Sequence, residues 1–365
     1  MDNTCLENWF WFGPNHQQDC ILYSRLGFHR SLKNELFPHR ASPEDKEGVL
    51  NNVLAALKGL EIDPYILIGP ESSRDCQLSA REVFDIPEVL TLKAGEAVFI
   101  GEKAFLATIN IHSHINFSLM GPGSQPLEQF QDLVAIDTQL DKRLSWACTE
   151  TYGFLNPDPI HTGSGMEFEA LLFLPGIIDS DMYDRVMKGL LAQGFAISVY
   201  DTKEQKDEED LSQQEIRSPF IQLTYTVPLG VSEQEGLEKI TNALEGLMKG
   251  ERATRERLAE KLSEEIKDKS WRAYALLTHA QLLSKTECRS LISDLRAGIV
   301  YGSLPMSSAQ GILKDCDRLW FGTETLVRQA LEAYPADQRS EKLSKSLRSK
   351  LVRNILSQYH IEGEI

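Results

Sequence analysis

A glycine-containing segment near the middle of the chain has the composition of an anion-binding loop. Residues 153–176 read GFLNPDPIHTGSGMEFEALLFLPG, with Gly163 and Gly165 ahead of an apolar run. Glycine lets backbone N–H groups approach a phosphate closely. Arginine or lysine normally completes such a site, whereas this chain has Glu167 and Glu169 after the glycines. The segment therefore combines a backbone suited to an anion with side chains that repel one.

The elements that must position this loop are strands and helices in a mixed order. The segments 104–121, 168–175, 195–202 and 220–228 have the alternation or apolar content of strands. Helical spacing of apolar residues marks three segments, which are 43–60, 127–146 and 179–194. This mixture predicts an α+β fold in which an antiparallel sheet is flanked by helices.

The composition changes near Gly250, because almost everything from residue 232 onward has helical periodicity. No fixed internal repeat is visible, so we expect a helical domain and not a solenoid. The predicted organisation is a mixed domain over residues 1–250 and an all-α C-terminal domain over residues 251–365.

Composition and charge exclude several classes of function. The chain has 365 residues and a formal net charge of −16, which disfavours binding to nucleic acids or anionic membranes. The sequence has no apolar run long enough to span a bilayer, and its first residues do not have the pattern of a signal peptide. Six scattered cysteines without C-x-x-C spacing fit a reducing cytoplasm with free thiols.

Four stretches resemble the ATP:guanido phosphotransferases, and in particular the bacterial protein arginine kinases of the McsB type. Residues 268–304 keep an R-x-Y segment followed by SDLRAGI, a pattern of the McsB helical domain. Residues 153–175 match the family's glycine loop without a gap, and residues 20–32 and 107–118 resemble two further family segments. The resemblance implies a guanido-kinase-like sheet followed by the helical McsB-type domain.

The resemblance also indicates which positions should hold the nucleotide phosphates. The family uses a cage of arginines, because a planar guanidinium matches a phosphate bidentately and stays charged. Arg25 falls on the first of these positions, and a fifth arginine belongs near 198–204, where none is found. The other three positions are occupied by non-basic residues: Gly27, Asn116 and Glu167.

The catalytic positions of the family are replaced as well. The glutamate falls on Ile111, or on His112 if the register shifts by one residue, and the cysteine falls on Asp158. Loss of one preorganised charge-stabilising group costs about 10²–10³ in rate, so several losses together predict the loss of phosphoryl transfer. Arg25 and Arg30 are then either remnants of an anion site or structural ion-pair partners.

A metal site is a further interpretation of the same region. His112, His114, His161 and Asp158 have the ligand types of a zinc or other transition-metal site, and the family fold would bring them near one another. His112 and His114 should share a face, since they are two residues apart on a predicted strand. The alternative, which we favour, is that these are polar replacements and that Asp158 stabilises a turn.

These observations predict a pseudokinase with a regulatory or protein-binding role, for which we expect no cofactor. The family suggests three partners, which are an active arginine kinase, a McsA-like activator and a Clp-type chaperone, and it allows a homo- or heterodimer. The alternative is an active ATP- and Mg²⁺-dependent protein arginine kinase with a rebuilt phosphate site. Such an enzyme would need cations from elsewhere, for example Arg30, Lys203 or Lys206.

Overall fold

The computed structural model describes residues 15–60, 62, 64–200, 218–261 and 263–362. Within these ranges, an eight-stranded antiparallel sheet has the strand order β2-β3-β4-β5-β1-β8-β10-β9, and β6 and β7 form a separate pair. The strands are β1 (Ile21–Arg30), β2 (Ile66–Ile68), β3 (Ala97–Ile100), β4 (Phe105–Ile109), β5 (Ile115–Pro122), β6 (Cys148–Thr149), β7 (Gly153–Phe154), β8 (Met166–Phe173), β9 (Ala196–Val199) and β10 (Phe220–Thr226).

The helices surround this sheet and make up the C-terminal third of the chain. In the described ranges they are α1 (Pro43–Lys58), α2 (Arg74–Phe84), α3 (Pro126–Leu144), α4 (Pro175–Ile178), α5 (Tyr183–Ala192), α6 (Glu233–Lys261), α7 (Ser263–His279), α8 (Lys285–Val300), α9 (Ala309–Glu332) and α10 (Glu341–Leu356). The predicted α+β fold with a helical C-terminal region is confirmed. None of these helices has the length and apolar content needed to cross a membrane.

Strand alternation gives the sheet one apolar face and one polar cleft. In β1, Leu26 and Phe28 enter a core that also includes residues of α1, α3, α5 and α6. Successive side chains of a strand point to opposite faces. The residues between them, Arg25, Gly27 and His29, therefore share the other face, and all three line a cavity there.

The C-terminal helices pack directly on one end of the sheet. Tyr23 and Phe220 contact Phe321 and Trp320 of α9, with ring centroids 6.1 and 4.1 Å apart. One hydrophobic cluster therefore includes both sheet and helical residues. Residue 250 lies inside the continuous helix α6, so the division into domains 1–250 and 251–365 stays a prediction.

The expected single strand over 104–121 is wrong, because this segment is a hairpin. Strands β4 and β5 pair antiparallel, and a turn over residues 110–114 joins them. Asn110 has a φ of 57°, which asparagine tolerates, and its side chain donates to the carbonyls of Lys46 and Gly95 at 2.8 Å. The prediction that His112 and His114 lie on one strand face is therefore also wrong.

Candidate functional site

The polar face of the sheet forms a cavity of about 400 Å³. Its floor comes from side chains of β1, β4, β5, β8 and β10. Its rim comes from the segments that follow α2 and β7 and from the turn between β4 and β5. Five carboxylates line it, together with three histidines and a single arginine among the described residues. These groups are Arg25, His29, Asp85, Glu88, His112, Asp158, His161, Glu167 and Glu169.

Arg25 is held in an ion pair across two neighbouring strands. It lies opposite Glu169 in the β1–β8 register, and its Nε donates to Glu169 Oε2 at 2.8 Å. Its Nη2 contacts the same oxygen, and its Nη1 donates to the Phe84 carbonyl at 3.2 Å. Of the two interpretations from sequence, the geometry supports the ion-pair partner, since the guanidinium is already neutralised.

Gly27 lies where strands β1 and β5 approach each other closely. A Cβ atom built there would be 2.8 Å from Ser118 Cβ and 3.0 Å from the Phe117 carbonyl oxygen. On the other side, Gly27 pairs with Glu167 of β8. Gly27 therefore leaves the centre of the cleft floor open, and Asn116 and Glu167 contribute the side chains beside it.

Glu167 is an anion held by neighbouring polar groups. Its Oε2 lies 3.3 Å from Nε2 of His29, and its Oε1 accepts a hydrogen bond from Thr226 Oγ1 at 3.1 Å. Burial alone would raise the pKa of Glu167, but the hydrogen bond and charge of His29 outweigh it and lower the pKa to about 2. A full negative charge therefore occupies the position where the resemblance places a phosphate-binding arginine.

His161 stacks on His29 beside the Glu167 carboxylate. The two ring centroids are 3.7 Å apart and the ring planes differ by 9°. Burial, followed by the nearby His29 ring, lowers the pKa of His161 to about 4, so this imidazole is neutral near pH 7. Its Nδ1 is buried and has no hydrogen-bond partner among the described residues.

The other histidines in the predicted cluster have different partners. His112 Nε2 lies 3.4 Å from Glu88 Oε1, and this hydrogen bond raises the pKa of His112. His114 accepts the Leu32 N–H at Nδ1 (3.0 Å), and its Nε2 lies 2.9 Å from the Leu36 carbonyl. Both nitrogens of His114 are therefore engaged, so the predicted cluster of His112, His114, His161 and Asp158 does not assemble as a metal site.

The remaining predicted positions serve local structure. Asp158 Oδ1 accepts the Ile160 N–H at 3.0 Å, which caps the short turn Pro159–His161. Its side chain also lines the cavity. Ile111 packs against the hydrophobic cluster shared with the helices and has no group able to transfer a proton. The turn-forming role expected for Asp158 agrees with this geometry.

The glycine loop directs its backbone groups inward. The Gly163 N–H donates to the Phe154 carbonyl at 3.0 Å, so it is not available to an anion. Gly165 has a φ of 64°, and a Cβ there would be 2.5 Å from the His29 carbonyl oxygen. These two glycines are required by the turn and by its close approach to β1.

Arg30 lies beneath this loop and does not reach the cavity. Its side chain is 2% exposed and pairs with Asp137 at 2.8 Å. It also donates to the carbonyls of Ser164 and His29 at 2.8 and 3.0 Å. Lys203 and Lys206, the other cations considered from sequence, lie outside the described residues, as does most of the segment 198–204.

His29 is the site residue that sequence reasoning missed. It follows Arg25 and Gly27 at intervals of two on β1, so the alternation of that strand already placed it on the cleft face. The family motifs drew attention to the arginine positions of this face, at Arg25 and Gly27, and the histidine two residues further along the strand carried no motif of its own.

Two family models match the chain. The ATP:guanido phosphotransferase C-terminal catalytic domain matches residues 77–254, and the protein-arginine kinase McsB C-terminal domain matches residues 263–363. A protein-arginine kinase of Clostridium botulinum is 25% identical over 361 residues, which cover 97% of this chain and 100% of that protein. A protein-arginine kinase of Syntrophomonas wolfei is 26% identical over 81% of this chain and 82% of that protein.

Solved structures agree on the fold. A crystal structure of lombricine kinase superposes with a TM-score of 0.53 at 15% identity, covering 68% of this chain and 70% of that chain. The substrate-free duplicated taurocyamine kinase of Schistosoma mansoni gives a TM-score of 0.52 at 16% identity, covering 67% of this chain and 35% of that chain. The chain belongs to the ATP:guanido phosphotransferase family and carries the C-terminal domain of the McsB protein-arginine kinases.

Proposed function

We propose that this chain is a non-phosphorylating homologue of the protein-arginine kinases that acts by binding other proteins. One observation carries the proposal: among the residues that the structure describes, five carboxylates and one arginine line the cleft, and that arginine, Arg25, is already paired with Glu169. Phosphoryl transfer depends on cations placed around the transferred group. The described residues of this cleft supply the opposite charge.

The energetics argue against ATP in this cleft. A carboxylate about 4 Å from a phosphate repels it by roughly 4 kcal/mol per unit charge at an effective dielectric constant near 20. Glu167 lies at the centre of the floor and stays ionised, because its pKa is about 2. Magnesium-bound ATP still carries net negative charge, so the residues present do not fit the nucleotide that the family uses.

The proposed role uses the parts of the molecule that remain intact. The sheet and the McsB-type helices share a continuous core, which supports the proposal. We infer that the outer surface of this body contacts other proteins in the cytoplasm. The partner that we propose is an active arginine kinase, a McsA-like activator or a Clp-type chaperone, and the chain would form a homo- or heterodimer. This proposal requires no bound cofactor.

Calorimetry with MgATP and mass spectrometry for phosphoarginine test the proposal directly. The protein-arginine kinase of Clostridium botulinum, assayed in parallel, is the positive control. We expect no heat of MgATP binding and no phosphoarginine on an arginine-rich acceptor protein. Micromolar ATP affinity, or phosphoarginine that accumulates with time, would refute it.

An active protein-arginine kinase is the second candidate, and the names of the relatives favour it. The proteins that match 97% and 81% of this chain are both called protein-arginine kinases. In this case Lys203 and Lys206 would have to supply the missing positive charge. Activity that disappears in a Lys203→Ala/Lys206→Ala variant and persists in an Arg185→Ala control on α5 would establish this candidate.

A further inference from the structure

Three side chains at the centre of the cleft have the composition of a metal site. His29, His161 and Glu167 each offer one ligand atom, and these atoms all lie within 4.8 Å of one another. The set differs from the cluster predicted from sequence and shares only His161 with it. Two imidazoles and one carboxylate are a ligand set that suits zinc and similar divalent ions.

Neighbouring groups orient two of the three ligands. Nδ1 of His29 lies 3.3 Å from Ser113 Oγ, while its Nε2 faces Glu167 Oε2 at 3.3 Å. The other oxygen of Glu167 is held by Thr226. His29 and Glu167 thus each use a second polar atom to contact a hydroxyl group, and such contacts orient metal ligands in proteins.

His161 supplies a buried nitrogen, Nδ1, that has no hydrogen-bond partner in the part of the chain that the structure describes. A buried polar atom without a partner is costly, and a bound ion would remove that cost. The rings of His161 and His29 are nearly parallel, so their lone pairs cannot meet at one point until one ring turns. His161 is the ring that can turn, because Nδ1 has no hydrogen bond to hold it and the residue ends the short turn Pro159–His161.

The surroundings favour a cation and leave room for another ligand. Asp158 adds negative charge to the same cavity, and the positive charge of Arg25 is compensated by its ion pair with Glu169. Three protein ligands with an open fourth position, here facing about 400 Å³ of cavity, are the arrangement of zinc sites that accept an exchangeable ligand.

We propose that His29, His161 and Glu167 bind a divalent transition-metal ion, with Zn²⁺ as the best match. The open coordination position would take a water molecule or an anionic group of a partner. This proposal goes beyond the protein-binding function above and does not require it, because metal binding and ATP binding are measured separately.

Titration of the full chain with Co²⁺, followed by displacement with Zn²⁺, tests the site. We expect one equivalent of tetrahedral or five-coordinate Co²⁺ without a thiolate charge-transfer band, since cysteine is not a ligand. His161→Ala and Glu167→Gln should each weaken binding by at least about 100-fold, because both remove a direct ligand. His112→Ala is the matched control, a cleft histidine outside the three, and should bind as the wild type does.

Three results would overturn the proposal: no stoichiometric binding, a thiolate band, or equal weakening by His112→Ala and His161→Ala. Anomalous diffraction at the zinc edge from crystals of the wild-type chain grown with Zn²⁺ gives an answer that needs no variant. An anomalous peak about 2.0–2.2 Å from His29, His161 and Glu167 supports the site. A peak elsewhere in the molecule, or none, contradicts it.

Discussion

The guanidinium of Arg25 and the carboxylate of Glu169 face each other directly across strands β1 and β8. Both side chains are 18% exposed, so the pair is largely shielded from water. Arg25, which best matches a phosphate-binding arginine of the family, thus forms an ion pair within the sheet.

A double-mutant cycle at this pair should show strong coupling. Arg25→Gln and Glu169→Gln should each lower the free energy of unfolding by about 2 kcal/mol, because each leaves a shielded charge without its partner. The double variant should lose little more than either single variant, which chemical denaturation can measure. The control cycle is the solvent-exposed ion pair Lys345–Glu341 on α10, whose two substitutions should have additive effects because water screens the pair. Additive effects at Arg25 and Glu169 would show that the pair does not stabilise the fold.

Adding a side chain at Gly27 should destabilise the sheet. Gly27→Ala places a Cβ 2.8 Å from Ser118 Cβ, so we expect a loss of about 1–3 kcal/mol of unfolding free energy. Ser118→Gly in the same chain should restore part of that loss. Gly121→Ala on β5 is the matched control, since its nearest neighbour would be Gln129 Nε2 at 3.6 Å. Equal stability of the two alanine variants in a urea melt would contradict the close approach.

Acid should weaken the contact between the N-terminal segment and α6. Burial alone would raise the pKa of Asp19, but the hydrogen bonds and charges of Arg252 and Arg255 lower it from 3.8 to about 2. Because the folded pKa lies below the unfolded value, the stabilisation is complete above about pH 4 and is lost as the pH falls toward 2. We expect this contribution to be about 1–2 kcal/mol after solvent screening.

Urea unfolding between pH 5 and 2.5 measures this effect. Asp19→Asn should be less stable than the wild type at pH 5 and should converge with it at the acidic end. Asp337→Asn, at an exposed aspartate, should run parallel to the wild type. A constant difference between Asp19→Asn and the wild type across the range would exclude the ion-pair explanation.

Substitution of Glu251 should lower the stability of the fold more than most other substitutions in α6. It is fully buried, and its two carboxylate oxygens accept the N–H groups of Gly176 and Ile177 at 2.8 Å each. Glu251→Ala leaves these two donors unsatisfied at the start of α4, so we expect a loss of about 3 kcal/mol. Thermal and chemical denaturation can measure it. Glu256→Ala, at an exposed position of the same helix, should change stability by less than about 0.5 kcal/mol, and a similar loss there would refute the capping role.

Alternation and helical periodicity predicted most of the strands and helices but not where the chain reverses direction. The pattern placed six residues on one apolar face: Ala107, Ile109, Ile111, Ser113, Ile115 and Phe117. All are buried except Ile111, which is half-buried and packs against the cluster shared with the C-terminal helices. The pattern did not reveal the hairpin, because the same alternation continues through residues 110–114 while the chain reverses. The turn depends on the positive φ of Asn110 and on its contacts with distant backbone, which no local pattern encodes.

Site residues within a sequence motif could be predicted. Contacts between site residues on different strands and turns could not. The glycine loop and the acidic substitution at Glu167 were visible in the sequence, and both lie at the cleft. The stacking of His161 on His29 joins residues far apart in the chain, so only the fold shows it. The separation of His114 from the cleft likewise follows from its two backbone contacts.

The tight packing at Gly27 also limits which side chains position 27 can accept. A long basic side chain at that position requires space that Ser118 and the backbone of β5 already occupy. Placing an arginine at position 27, where the resemblance expects one, would therefore take coordinated changes on two strands, with a less stable intermediate if Gly27 changes first. A basic side chain at this position is thus harder to introduce than to remove, for natural variation and for protein engineering alike.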